Sequence, residues 1–217
     1  MAKGPAMSRE EAVKAIEVGI GMVADLKEKG YNVLATGEMG IGNTTTSSAV
    51  CSVLLDQSVE KVTGKGAGLT NKDLEHKIEV IRQSIALNKV NADDPLDVLA
   101  KVGGLDIAGM AGCYIGGAAL NIPVFIDGFI SSVAALIAIR LVPECAPYLF
   151  PSHCSNEPAG RMILDAIGKQ PYIFANMCLG EGTGAVMGFT IADYAFKAYW
   201  ELPSFEQTNF GTYEELN

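Results

Sequence analysis

Apolar and polar positions along this chain alternate between short β-leaning runs and longer stretches with helical spacing. Arg9 to Lys29 predicts an amphipathic helix, opened by the capping-box pattern Ser8-Arg9-Glu10-Glu11 and closed by Gly30 just past its end. Tyr31 to Ala35 (YNVLA) reads as a short strand, and Thr44 to Leu55 (TTTSSAVCSVLL) as a buried helix. Thr70 to Val90 carries Lys72, Glu75, Glu79 and Gln83 on one face of a helix and Leu74, Ile78, Ile81 and Ile85 on the other. Asp94 and Pro95 open a short helix as N-cap and first helical residue.

The apolar stretch Ile107 to Val142 is interrupted by Asn121, Pro123, Asp127 and Arg140, so it reads as helix, strand and helix, not as a membrane span. Within it Val124 to Ile126 is a buried strand and Ser131 to Leu141 a buried helix. Tyr148 to Pro151 reads as a strand end and Pro158 to Ile167 as a helix; Pro171 to Leu179 has no clear period. Strands alternating with helices predict an α/β fold: one domain over 1–217, a doubly wound, mostly parallel, Rossmann-like sheet with helices on both faces. In such a sheet ligand loops gather at the carboxyl ends of the strands. No internal repeat or linker divides the chain, and the polar and aromatic tail from Ser204 to Asn217 is expected to pack against a partner.

Composition narrows the class. Of 217 residues 49% are hydrophobic and 19% charged, which suits a sizeable core or interface. Twenty-five acids against sixteen bases give a net charge of -9, which argues against nonspecific nucleic-acid or membrane binding, so an anionic ligand must rely on local donors. The five cysteines form no C-x-x-C pair, and reduced thiols in a cytoplasmic compartment are expected. Two scattered histidines, His76 and His153, suggest no metal site, and His153 suits a structural or ligand-lining role. The polar N-terminus starts a capped helix, not a signal peptide.

Candidate chemistry sits in two glycine-rich stretches, GEMGIGNTTT around Glu38 and LGEGTGA around Glu181. In the first, Gly37, Gly40 and Gly42 lie at a strand-to-helix junction, where backbone N–H groups and the helix dipole favour phosphate. The spacing is neither a Walker loop nor G-x-G-x-x-G, and a plain tight turn with a hydroxyl-rich cap fits the residues equally well. In the second, glycines on both sides of Glu181 let ligand and backbone approach its carboxylate, near apolar Met177 and Leu179, the setting of a general base. A solvated turn glutamate is the alternative.

Taken together and in order, GEMGIGNTTTSSA, TGKGAGL at Thr63 to Leu69, VFIDGFISSVAA at Val124 to Ala135, SHCSNEPAG at Ser152 to Gly160 and LGEGTGA resemble the nicotinate-nucleotide:dimethylbenzimidazole phosphoribosyltransferases, over nearly the whole chain from Lys3 onward. The resemblance implies transfer of the phosphoribosyl group of nicotinate mononucleotide to a benzimidazole-type aromatic base, giving the lower-ligand nucleotide of cobalamin, without cofactor or metal. It implies Glu181 as catalytic base and Glu38 as a second active-site carboxylate. Gly40, Asn43, Thr44, Gly66 and Lys77 are matched to phosphate and ribose binding, with Asp127, Gly128, Ser155 and Asn156 as further nucleotide contacts. Met39, Met177 and Leu179 are expected around the aromatic base, and a homodimer is implied. Two departures stand out. The family's N-terminal segment, which adds helices and part of the base pocket, has no counterpart here, so a truncated, separately started or split form is expected. Cys178 stands where the family often has arginine, which predicts an altered pocket rim. The residues leave two other functions open: a nucleotide-binding but catalytically incomplete homologue, and a nucleotide hydrolase in which Glu181 activates water.

Overall fold

The computed structural model describes residues 1–208; the end of the expected partner-binding tail, 209–217, lies outside the described residues. Helix α1 (Arg9–Glu28) starts at Ser8, whose hydroxyl accepts the Glu11 N–H at 3.1 Å while the Glu11 carboxylate accepts the Ser8 N–H at 2.7 Å. It ends on Gly30 at φ +88°, with the Gly30 and Tyr31 N–H groups turned back to the Lys27 and Leu26 carbonyls. These bonds are local, and so they were readable from sequence. The same holds where Thr70 caps α4 (Asn71–Asn88) and Asp94 caps α5 (Pro95–Val102). Between α1 and α4 lie β1 (Leu34–Ala35), α2 (Thr44–Leu54) and the single turn α3 (Val59–Val62).

Helix α6 (Leu105–Ala119) crosses α1 through glycines. A side chain at Gly19 would run into the Gly109 carbonyl, and one at Gly112 into the Ile16 carbonyl, so the two backbones touch. Strand β2 (Val124–Ile126) leads into α7 (Phe129–Leu141), and a 3-10 turn (Pro143–Tyr148) feeds β3 (Leu149–Pro151). The three strands form a parallel sheet in the order β1-β2-β3, with Leu34 beside Val124 and Val124 beside Leu149. The α/β class stands, with a shorter sheet than the apolar runs suggested: Tyr31 to Val33 and Tyr148 fall outside the strands.

Helices lie on both faces of β2. Val124 and Ile126 join the core under α6 and α7, while Phe125 points the other way onto Phe150 and Phe189. The core residues Ile81, Leu99, Ile107, Leu136 and Leu149 are fully covered or nearly so, each contributing about 1.5–3 kcal/mol by leaving water. One buried hydroxyl cluster ties three elements: Tyr114 of α6 meets the Thr36 hydroxyl at 2.5 Å and donates to the Ser131 carbonyl at 3.1 Å. After α8 (Gly160–Ala166) comes α9 (Thr183–Glu201), which sequence reasoning passed over. Its apolar residues cover most of the circumference, beside a polar stripe of Thr190, Asp193, Lys197 and Glu201, and of its nineteen residues only Gly184, Ala185 and Gly188 are buried. Among the described residues no helix is long and apolar enough to cross a membrane.

Candidate active site

The two glycine-rich loops interlock just past the strand ends. A side chain at Gly37 would strike the backbone of Gly182, and one at Gly180 would come within 2.7 Å of the Glu38 carbonyl. The Glu181 N–H donates to that same Glu38 carbonyl at 2.9 Å. Gly180, Glu181 and Gly182 are consecutively left-handed, with φ of 78°, 60° and 81°. Glycine adopts this freely, but for glutamate it is uncommon, and such a conformation persists where surrounding bonds hold it. Here the holding bonds are the Glu38 carbonyl and the turn closed by the Thr183 N–H and hydroxyl onto the Gly180 carbonyl, at 3.1 and 2.8 Å. Glu38 and Glu181 are thereby brought to the wall of one cavity of about 460 Å³.

The floor is organised by Asp127, which directly follows β2 and is 1% exposed. Its carboxylate accepts three backbone N–H groups at the start of α9: Gly182 at 3.0 Å, Gly184 at 2.8 Å and Ala185 at 3.2 Å. It therefore satisfies the first-turn donors that α9 cannot satisfy itself, and complements the positive end of the helix. His153, also buried, places Nδ1 3.1 Å from the Ser152 hydroxyl and 3.9 Å from Asp127. Burial lowers its pKa below the usual 6.5 and the nearby Asp127 charge opposes this only in part. A side chain at Gly184 would collide with the His153 ring, which explains the last glycine of LGEGTGA.

Behind the opposite wall the buried Lys77 ammonium donates to the Thr44 hydroxyl at 2.8 Å and the Gly64 carbonyl at 3.0 Å. Burial pulls its pKa down, while the charge of Glu157 pushes back. Glu157 is raised by the same burial and lowered by Lys77. A side chain at Gly64 would run into the Glu157 carboxylate, and one at Gly66, at φ +55°, into the Thr44 hydroxyl, so both glycines of TGKG are fitted to this corner. A cation, a hydroxyl and the first turn of α2 converge here, the donor set of an anion site.

A family model described as a phosphoribosyltransferase matches residues 1–210. The chain belongs to this phosphoribosyltransferase family. It is 55% identical over 214 residues, 99% of its length, to the nicotinate-nucleotide--dimethylbenzimidazole phosphoribosyltransferase of Ruminiclostridium cellulolyticum, and 51% identical over 214 residues to that of Acetivibrio thermocellus. CobT from Thermus thermophilus superposes with a TM-score of 0.89 at 35% identity, covering 95% of this chain and 61% of that one. The chain spans 61% of the length of each of these relatives.

Against this family background the expected site residues divide in two. Glu38, Met39, Gly40, Thr44, Gly66, Asp127, Gly128, Ser155, Leu179 and Glu181 all line the cavity, as does Cys178. Lys77 stands behind the wall and reaches it through Thr44. Asn43, Asn156 and Met177 do not line it. The Asn43 amide donates to Asp106 at 2.9 Å, and Asn156 is exposed with its N–H on the Met177 carbonyl at 3.0 Å. Sequence reasoning passed over Glu157, Phe129 and Ile130, which line the cavity. The signal for Glu157 was available: a carboxylate one position beyond the Ser155-Asn156 pair already singled out. Of the TTTSS hydroxyls, Thr46 and Ser48 turn back onto helix carbonyls and only that of Thr44 meets Lys77.

Proposed function

We propose that this chain carries the catalytic part of an enzyme that moves the phosphoribosyl group of nicotinate mononucleotide to a benzimidazole-type base, in the cytoplasm and as a homodimer. The observation that carries the reading is the interlock of the Glu38 and Glu181 loops over one cavity, with the Lys77-Thr44 corner opposite. The phosphate sits against Thr44, Gly66 and the first turn of α2, with Lys77 supplying charge in a protein that is otherwise acidic. Nicotinate leaves ribose C1 as its glycosidic bond breaks, the electron pair returning to the pyridinium nitrogen. One ring nitrogen of the incoming azole attacks C1 from the opposite face while its other nitrogen gives up its proton to Glu181. C1 inverts, and the β-nucleotide becomes an α-riboside phosphate. Glu38 orients the azole, and Met39 and Leu179 cover its apolar edge. No step calls for a metal or cofactor.

A second reading is favoured by one observation, the 61% span of the relatives. In it the chain alone binds nucleotide but holds the acceptor poorly. One experiment tests both: mass spectrometry for an α-riboside phosphate from nicotinate mononucleotide and a panel of aromatic acceptors. Product from the chain alone supports the first reading and abolishes the second. Nucleotide binding without product supports the second, and release of ribose phosphate without acceptor would overturn both in favour of hydrolysis.

A further inference from the structure

The imidazole of His153 is a polar group in the cavity wall that the proposed reaction leaves unused. It is 2% exposed, yet it lines the cavity beside Gly128 and Ser155. Its two ring nitrogens have different surroundings. Nδ1 lies 3.1 Å from the Ser152 hydroxyl and 3.9 Å from the Asp127 carboxylate. The Ser152 hydroxyl gives its own proton to the Ile126 carbonyl at 2.8 Å, so toward the imidazole it offers a lone pair. Facing that lone pair and a carboxylate, Nδ1 carries the ring proton, and Nε2 is left as an acceptor. Among the described residues Nε2 meets no donor. It looks across Gly128, where a Cβ would stand 3.6 Å from it. Burial lowers the pKa of the ring and the Asp127 charge opposes this only in part, so the imidazole is neutral above its usual 6.5. A buried acceptor without a donor is costly in a folded protein and calls for a partner.

We propose that His153 Nε2 accepts a hydrogen bond from a ribose hydroxyl of the nucleotide and so makes the site selective for ribonucleotides over deoxyribonucleotides. This rests on the reading of the cavity as a nicotinate mononucleotide site and adds a residue to it. The sugar is singled out by chemistry and by position. With its carboxylate and phosphate ionised, nicotinate mononucleotide has no O–H or N–H donor except its two ribose hydroxyls, since the ring nitrogen is quaternary and the anionic groups accept. The azole N–H of the acceptor goes to Glu181 in the proposed reaction. In position, His153 lies between the two chemical ends of the cavity. Beyond it in the chain, Ser155 and Glu157 lead to the anion corner, where the Glu157 carboxylate fits against Gly64 and faces the Lys77 charge. On its other side the ring packs against Gly184, close after Glu181 in sequence. Ribose spans this interval between phosphate and reacting carbon. A hydroxyl held by a ring that Ser152 and Gly184 fix in place sets the face of C1 that meets the azole.

The test crosses substrate analogues with variants, by calorimetry of the full chain at about pH 8, where the phosphate is doubly ionised. The parent protein is titrated with nicotinate mononucleotide and with its 2′-deoxy and 3′-deoxy analogues. Expected is a loss of about tenfold in affinity for at least one analogue. In His153→Phe, which keeps a ring but offers no lone pair, that analogue and the ribonucleotide should bind alike, within about twofold. His153→Gln, whose amide oxygen reaches toward the Nε2 position, should restore part of the preference. The same preference in His153→Phe as in the parent overturns the proposal, and so does a parent with no preference. Should the phenylalanine variant fail to fold, NMR of isotope-labelled imidazole nitrogens in the parent decides, with the exposed His76 as the one other histidine. His153 Nε2 should carry no proton, move upfield when nicotinate mononucleotide binds, and stay in place with the discriminated analogue. A proton on Nε2, or a resonance indifferent to the hydroxyl, overturns the proposal. A parent that binds no nicotinate mononucleotide refutes the reading of the cavity and this proposal with it, whereas binding without coupling to the hydroxyl refutes this proposal alone.

Discussion

Helices α7 and α9 are introduced in the same way, by an acid and a glycine two positions ahead of the first turn: Asp127-Gly128 before Phe129, Glu181-Gly182 before Thr183. Both are mostly apolar, yet α7 buries ten of its thirteen residues and α9 three of nineteen. The acids differ in the same sense. Asp127 is closed off and bonded to the amides of the other helix, whereas Glu181 stands exposed on a left-handed backbone at the cavity wall. Hydropathy thus reports that a helix needs a dry partner without saying whether that partner belongs to this chain. An acid before a helix is a motif whose role is decided by its backbone: one anchors the amides of another helix, the other turns to the cavity wall.

The largest effect should separate the two acids. Glu181→Gln, measured in whichever assembly turns over, should lower transfer by about 10²–10⁴-fold while nucleotide affinity holds; a rate near that of the parent would place the chemistry elsewhere. For the helices themselves, Leu136→Ala on α7 should cost about 2–5 kcal/mol by urea titration, because it empties a site that is 1% exposed. A loss below about 1 kcal/mol would mean the α7 core is not packed as described. Asp127→Ala should cost about 1–3 kcal/mol by leaving backbone donors of α9 unpaired, and hydrogen exchange should quicken at Gly184 and Ala185. Unchanged protection there would break the link between the two helix starts.

Smaller still is a pH effect at His153, the side chain between them. Its pKa is lowered from 6.5 on folding, so between that lowered value and 6.5 the unfolded chain binds more protons than the native one. Stability should therefore be full above about pH 6.5 and decline on acidification through that window, and His153→Gln should remove that part of the slope. A native state that gained stability from acid there would mean the Asp127 charge outweighs burial. The smallest change is expected on α9: Tyr199→Ser in this chain alone should shift stability by no more than about 0.5 kcal/mol. A penalty of several times that would show that the face is already covered.

How much of this was legible depended on the range of the interactions. Ser8, Thr70 and Asp94 announced their helices because capping bonds span two or three residues. The strand-end rule placed the GEMG and IDGF loops, which follow β1 and β2, but not LGEG, which follows no strand of the sheet. What stayed hidden was long-range. Nothing in IDGF says that Asp127 serves the amides of Gly182 to Ala185, and nothing in GEMG says that Gly37 is a glycine because Gly182 lies against it. Asn43 and Asn156 sit in motifs that line the cavity, but their side chains leave it, since a motif fixes the backbone's path and not the rotamer of each member. Helix α9 was passed over although Thr190, Asp193, Lys197 and Glu201 recur at helical spacing, because glycines break its start and its apolar residues spread over the rest of the circumference.

The glycines of the floor also set where this site is able to change. Gly37, Gly64 and Gly184 abut the Gly182 backbone, the half-buried Glu157 carboxylate and the buried His153 imidazole, so even a methyl group there forces a rearrangement. Met39, Ile41 and Leu179, by contrast, hang over the cavity with 60% or more of their surface free. Under the proposed reaction, variation in acceptor is thus channelled to the rim. A lineage adapting to a bulkier or more polar aromatic base would replace those three residues and Cys178 while the floor stayed fixed, and a directed-evolution library confined to them would sample specificity without drawing on the residues that hold the two carboxylates in place.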